Sequence, residues 1–279
     1  MCGLAGLVIG RKERSPKELR AITKRFSNLM VATQIRGHHA TGAFVVNKSG
    51  IEYHKAPLPA DEMVKTDGWK KLMQGVNNDT IAIVGHVRFA TQGSPSDNSN
   101  NHPIIQDNII GVHNGIIHND YEICNEYPYE EEVDSAAIFS MLKGNSRNSR
   151  LSTAVIGDAL PELSGDFAIM VADARRTDSI FVARDASRPL GYVKDYTNQL
   201  LWLSSTGDIA REGLGDNSIK LELFPTYSVA RIGRKHAEPT TKVRYSKWYT
   251  PARISPVTFS ERGKYSTANI WDENGQFKL

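Results

Sequence analysis

Six short apolar runs follow one another late in the chain, and they restrict the fold more than any other feature. "DFAIMVAD" (166–173), "SIFVAR" (179–184), "LGYVKD" (190–195), "LLWLSS" (200–205), "SIKLEL" (218–223) and "YSVARI" (227–232) each have strand length, and most are rich in β-branched or aromatic residues. Earlier strands are expected at "CGLAGLVI" (2–9), "AFVV" (43–46) with "IEYHK" (51–55), "TIAIVGHVRFAT" (80–91) and "NIIGVHNGII" (108–117). Helices interrupt them. "SPKE" at Ser15–Glu18 reads as a cap, a first-turn Pro and a capping acid. Leu19, Ile22, Phe26, Leu29 and Met30 then repeat at helical spacing, so a helix runs to about Ile35. "DEMVKTDGWKKLMQG" (61–75) is a weaker helix, and "VDSAAIFSMLK" (133–143) and "LSTAVIGDALPEL" (151–163) are two more. Strands, then helices, then strands is not βαβ alternation. It predicts an α+β layered fold.

Two cysteines, Cys2 and Cys124, are too few for a disulfide framework or a cysteine metal site. No apolar run reaches the length of a membrane span and no signal layout opens the chain, so a cytoplasmic protein without membrane partners is expected. Charge is uneven. From Arg234 to Leu279 nine Lys or Arg stand against four Asp or Glu, whereas the body is near neutral.

Four stretches combine glycine with reactive side chains beside a strand or turn: "MCGLAG" at the start, "RGHHATGA" (36–43), "GHVRFATQG" (85–93) and "VHNGII" (112–117). Singly each has a bland reading. Cys2 is a small hydrophobe for a buried strand, Asn114-Gly115 is a turn signal, and Arg88 is a strand-end cation with its stem in the core. The histidines at 38, 39, 86, 102, 113 and 118 match no helical zinc spacing and most read as hydrogen-bonded structural residues, so no metal is expected. Cys2 has a second reading. Once Met1 is removed it carries a thiol and a free α-amine, a nucleophile with its own base.

In this order, with His102-Pro103 and Asp134, the set resembles the glutaminase domain of class II, N-terminal-nucleophile glutamine amidotransferases, that of glucosamine-6-phosphate synthase most. "ARDASRPL" (183–190) is similar to the phosphoribosyltransferase branch. The resemblance covers residues 2–235 and implies a four-layer αββα sandwich of the Ntn-hydrolase type, no cofactor, and glutamine as substrate. It implies that Cys2 attacks the side-chain amide and that Asn114 and the Gly115 N–H stabilise the oxyanion. Arg88 would hold the α-carboxylate and Asp134 the α-ammonium. Thr91 and Phe89 would line the pocket, and Arg36 and Gly37 would shape the loop beside Cys2. Family members usually carry a larger aromatic than Phe89, a His where Gln92 stands, and an acid where Ala136 stands.

Residues 236–279 form a basic, aromatic extension with no domain of its own, and no Walker-type loop occurs in the chain. The reading is therefore a glutaminase whose ammonia passes to a separate partner synthase, with the extension as docking element or as a strap. Nucleic-acid binding through that extension, with Trp248, Tyr249 and Tyr265 as stacking groups, is a weaker alternative. Two rival functions remain: a non-catalytic binding protein that keeps the fold, and another N-terminal-nucleophile amidase.

Overall fold

Strands that are apolar on both faces need cover on both sides, and this chain supplies it in four layers. The computed structural model describes residues 1–238 and 240–248. Tyr249, Tyr265 and most of the basic extension lie outside the described residues. One sheet contains β1 (Gly3–Ile9), β2 (Ala40–Asn47), β3 (Gly50–Ala56), β4 (Thr80–Arg88), β9 (Gly191–Asp195), β10 (Leu200–Ser204) and β11 (Glu222–Leu223), in the order β11-β9-β10-β1-β4-β2-β3. The other contains β5 (Ile104–Gln106), β6 (Ile109–Ile117), β7 (Gly165–Asp173), β8 (Arg176–Arg184), β12 (Ser228–Ile232) and β13 (Tyr245–Lys247), in the order β13-β12-β8-β7-β6-β5.

Period-two alternation sorts the side chains. In β1, Leu4 and Val8 face the second sheet and meet Val112, Met170 and Val182 there. Leu7 and Ile9 face outward onto Phe26 and Leu29 of α1 (Pro16–Thr33), together with Trp69 of α3 (Asp67–Gln74) and Ile209 of α7 (Gly207–Leu214). Ile169, Val171 and Phe181 on the far side of the second sheet bury against Phe139 and Met141 of α5 (Asp134–Asn145) and Ile156 of α6 (Thr153–Ala159). Three apolar interfaces thus separate four layers, helices outside and sheets inside, as the expected αββα sandwich requires. Each fully buried side chain of this size contributes about 1.5–3 kcal/mol, so the three interfaces together dominate the fold.

Local signals explain the helix boundaries. Ser15 and Glu18 form a reciprocal capping box with Pro16 in the first turn. The helix stops at Thr33 and tightens into a 3₁₀ turn over Gln34–Arg36. The stretch read as one weak helix at 61–75 is two, α2 (Ala60–Met63) and α3, because Thr66 accepts from the Trp69 N–H and starts the second. A short α4 (Asp120–Glu126) follows β6. Of "SIKLEL" only Glu222–Leu223 pairs as a strand. Beyond Arg234 the second sheet continues through β13, and the Trp248 ring stacks on Phe167 with centroids 6.0 Å apart. Among the described residues no helix is long and apolar enough to cross a membrane.

Candidate active site

Cys2 immediately precedes β1, whose Gly3 is in register with Val87 of the neighbouring β4. That pairing brings the thiol to the end of β4, where the Phe89 N–H approaches Cys2 Sγ at 3.4 Å. Arg36 Nε donates to the Cys2 carbonyl at 2.8 Å and holds the residue in place. The chain at 36–38 can lie this close only because residue 37 is glycine. A Cβ there would stand 2.5 Å from the Arg88 carbonyl carbon and 2.6 Å from the Phe89 nitrogen. Burial pushes the Cys2 thiol above its ordinary pKa, opposed by the Phe89 backbone contact, the N-terminal ammonium and Arg88. With Met1 in place, Cys2 is therefore a protonated thiol at neutral pH. Met1 itself meets an arginine that the sequence reading left without a role: Arg188 Nη1 reaches its sulfur at 3.1 Å, while Arg188 Nη2 pairs with Asp166 at 3.3 Å.

Arg88, buried at the end of β4, is enclosed by the loop that follows it. Nη1 donates to Asn101 Oδ1 at 2.8 Å, and Nη2 donates to the carbonyls of Gln92 and of Gly93, the latter at 2.8 Å. The loop is held in turn by two asparagines that motif reading passed over. Asn101 Nδ2 donates to the Pro95 carbonyl at 2.8 Å, and Asn100 exchanges hydrogen bonds with Glu132. Burial draws the guanidinium down from its usual value, while Asp134 and Cys2 draw it up. It remains a cation whose terminal nitrogens are occupied by its own loop.

The second sheet supplies the facing wall. Asn114 in β6 is 1% exposed, and among the described residues its Nδ2 has no hydrogen-bond partner. A buried amide donor left unpaired costs free energy, and such groups concentrate where a ligand completes them. Gly115 follows. A Cβ there would lie 1.8 Å from the Asp166 carbonyl of β7 and 2.5 Å from His113 Nε2, so neighbouring protein demands glycine here, rather than approach to a substrate alone. Asp134 opens α5 and accepts from the Ile117 N–H at 2.7 Å, which fixes one carboxylate oxygen at the end of β6. Its charge is close enough to act on both Cys2 and Arg88. Phe89 is 42% exposed and rests on His39, with centroids 5.1 Å apart. Thr91 is exposed, and its hydroxyl makes no hydrogen bond among the described residues.

Three histidines lie behind this wall, His86 and His102 between the sheets and His113 between β6 and α5. His86 Nε2 meets the His113 carbonyl at 2.9 Å, tying β4 to β6, and His113 Nδ1 meets Ser135 Oγ at 2.8 Å. His102 is one of the histidines outside that hydrogen-bonded majority: it stacks on His86 with centroids 3.9 Å apart, and both its ring nitrogens are unpartnered among the described residues. Burial lowers all three, His86 to about 3, so they stand neutral. Among the described residues no group of three His, Cys, Asp or Glu could hold a metal ion.

Known proteins resemble this chain in sequence and in fold. Residues 86–210 match the family model of a glutamine amidotransferase domain. Glutamine–fructose-6-phosphate aminotransferases (isomerizing) of Geobacillus kaustophilus and Escherichia coli K12 are 27% and 25% identical over 192 residues, which is 67% of this chain and 29% of each relative. The chain thus spans less than a third of those proteins. The solved glutamine phosphoribosylpyrophosphate amidotransferase of B. subtilis superposes with a TM-score of 0.63 at 16% identity, covering 89% of this chain and 49% of that one. A structure described as the allosteric regulatory enzyme of purine biosynthesis gives 0.64 at 15% identity, with the same coverage. At such identities the likeness is one of fold.

Proposed function

We propose that this chain, residues 86–210 of which match a glutamine amidotransferase domain, is a class II amidotransferase that hydrolyses the side-chain amide of glutamine through a thioester on Cys2. The observation that carries the reading is the unpartnered, buried Nδ2 of Asn114 in β6, a strand packed across from β1 and the Cys2 that precedes it. In the proposed reaction Met1 is first removed, and the freed α-amine takes the thiol proton. A reference amine pKa of about 7.7–8.0 suits it to that task near neutral pH, and it offsets the burial that keeps the thiol protonated. Sγ adds to the amide carbon, and the oxyanion accepts hydrogen bonds from Asn114 Nδ2 and the Gly115 N–H. Collapse breaks the C–N bond, and ammonia departs with the proton held by the α-amine. Water then attacks the thioester, releasing glutamate and restoring the thiol.

Arg88 takes the substrate α-carboxylate in a charge-assisted pair. For this the carbonyls of Gln92 and Gly93 must release its terminal nitrogens, so substrate entry and rearrangement of the 92–101 loop are one event. Asp134 receives the α-ammonium on the oxygen that Ile117 does not use. Phe89 and Thr91 close the exposed side, and Arg36 and Gly37 keep the Cys2 backbone in position. The domain comprises residues 2–235. The setting is the cytoplasm, where the thiol stays reduced. Ammonia passes to a synthase on a partner chain, and co-elution of the two on gel filtration checks this; an isolated chain beside every amine- or amide-forming enzyme of the same source would oppose it.

Intact-mass spectrometry with the glutamine mimic 6-diazo-5-oxonorleucine tests the core of the reading. The expected result is a chain lacking Met1 that gains one adduct on Cys2, with no adduct in a folded Arg88→Ala variant. A retained Met1, or a processed chain that takes up no label, would overturn it.

A further inference from the structure

A cavity of about 1160 Å³ opens at the end of the sandwich away from Cys2. Ile81 lines it, seven residues before Arg88 along β4, which places it about 23 Å from the thiol end of that strand. β1, antiparallel to β4, spans the same distance, from Cys2 at one end towards Arg11 of the cavity wall beyond the other. The lining is strongly cationic. Arg11, Lys48, Arg231, Arg234, Lys235 and Arg244 face it, and Asp178 is the sole carboxylate among the lining residues.

Some of this charge is neutralised by the protein. Arg231 pairs with Asp178 at 2.6 Å, Lys48 with Asp79, and Arg11 reaches Glu238 at 3.9 Å. Arg234, Lys235 and Arg244 have no ion-pair partner among the described residues. For the two exposed side chains that is unremarkable, since an exposed cation is satisfied by water. Arg234 is different. Its Nη2 is anchored on the Gly10 carbonyl at 3.0 Å, but its Nε is buried without a hydrogen-bond partner among the described residues. Burial also draws this guanidinium below its ordinary pKa, although Asp79, Glu13 and Glu238 pull the other way. A half-buried, anchored guanidinium with one unbonded nitrogen at the wall of a large cavity is a preorganised anion donor. Thr153 and Ser246 add hydroxyls to the lining, and Tyr245, 45% exposed, presents an aromatic face at the rim.

We propose that this cavity is a binding site for a small polyanion bearing two or more phosphate groups, held by Arg234, Lys235 and Arg244. It is independent of the glutamine site, sharing no residue with it. The cavity volume suits a compact ligand, which favours this over an extended nucleic-acid strand.

Isothermal titration of the full chain with pyrophosphate and with ATP, metal-free and at constant ionic strength, is the test. One saturable site per chain is expected, weakened about tenfold or more in a Lys235→Gln/Arg244→Gln variant, because each lost charge-assisted contact removes a strong interaction. Both residues are exposed and have no ion-pair partner among the described residues, so the variant's melting temperature and its labelling at Cys2 should match the parent. ATP binding more tightly than pyrophosphate would support the site with the base on Tyr245; equal affinities would support it with the phosphates alone as recognition element. No saturable binding of either probe, or unchanged affinity in the double variant, would overturn the proposal. So would single-stranded RNA that binds and is not displaced by pyrophosphate.

Discussion

Asn114 and Cys2 pose opposite problems at the level of single residues. The thiol is stabilised in the form that does not react, by burial. The amide is left with a donor that nothing in the described protein uses. A bound oxyanion would resolve both, since negative charge arriving beside Asn114 is the event that the thiol's attack creates. Asn114→Ala should therefore lower kcat for glutamine hydrolysis by roughly 10²–10³, the usual loss of one oxyanion donor, with little change in KM. Its melting temperature should hold within a few degrees, because the donor removed made no native hydrogen bond and an orphaned group costs rather than contributes stability. A collapse in stability with proportionate loss of activity would assign Asn114 to the scaffold instead. Activity assays paired with thermal denaturation separate the two.

Among the elements, what was legible in the sequence depended on whether the cause was local. The capping box at Ser15–Glu18 and the apolar spacing of α1 are local, and the helix starts where they say it does. The break between α2 and α3 is equally local, but Thr66 sits inside a continuous apolar pattern, and periodicity outweighed the cap. β13 carries no alternation of its own; it is a strand because β12 offers an edge to pair with. The site divides in the same way. "MCGLAG", "GHVRFATQG" and "VHNGII" could be matched as motifs because each is contiguous. The engagement of Arg88 by the Gln92 and Gly93 carbonyls, the staples from Asn100 and Asn101, and the approach of Arg188 to Met1 all depend on how loops return in space. Gly115 stands out within its motif, but the carbonyl that excludes any side chain there belongs to a strand about fifty residues away in sequence.

For the molecule as a whole, stacking two sheets face to face commits everything on their inner faces to burial, and near the site this includes polar groups. His86 and His102 stack between the sheets with three ring nitrogens unpartnered among the described residues. Both are held neutral by desolvation, His86 down to about 3. In the unfolded chain each returns to about 6.5. As pH falls below 6.5 the unfolded state binds protons that the folded state refuses, so stability that is whole above pH 6.5 is lost on acidification. The slope is about 1.4 kcal/mol per pH unit for each such histidine, so at pH 5 the pair costs on the order of 4 kcal/mol. That is a large share of the roughly 5–15 kcal/mol that holds a domain folded. His39, His54, His113 and His236 are also drawn down by burial and steepen the same limb. Carboxylates held low by partners, such as Asp173 beside Arg175, act only at lower pH, because their unfolded values lie near 4. Urea denaturation at pH 7, 6 and 5 should therefore show a midpoint falling steeply over a range in which carboxylates are still ionised. His102→Gln should flatten that fall, whatever it does to stability at pH 7. A midpoint that stays level from pH 7 to 5 would mean that these imidazoles accept protons within the fold, and that water reaches between the sheets behind the candidate site.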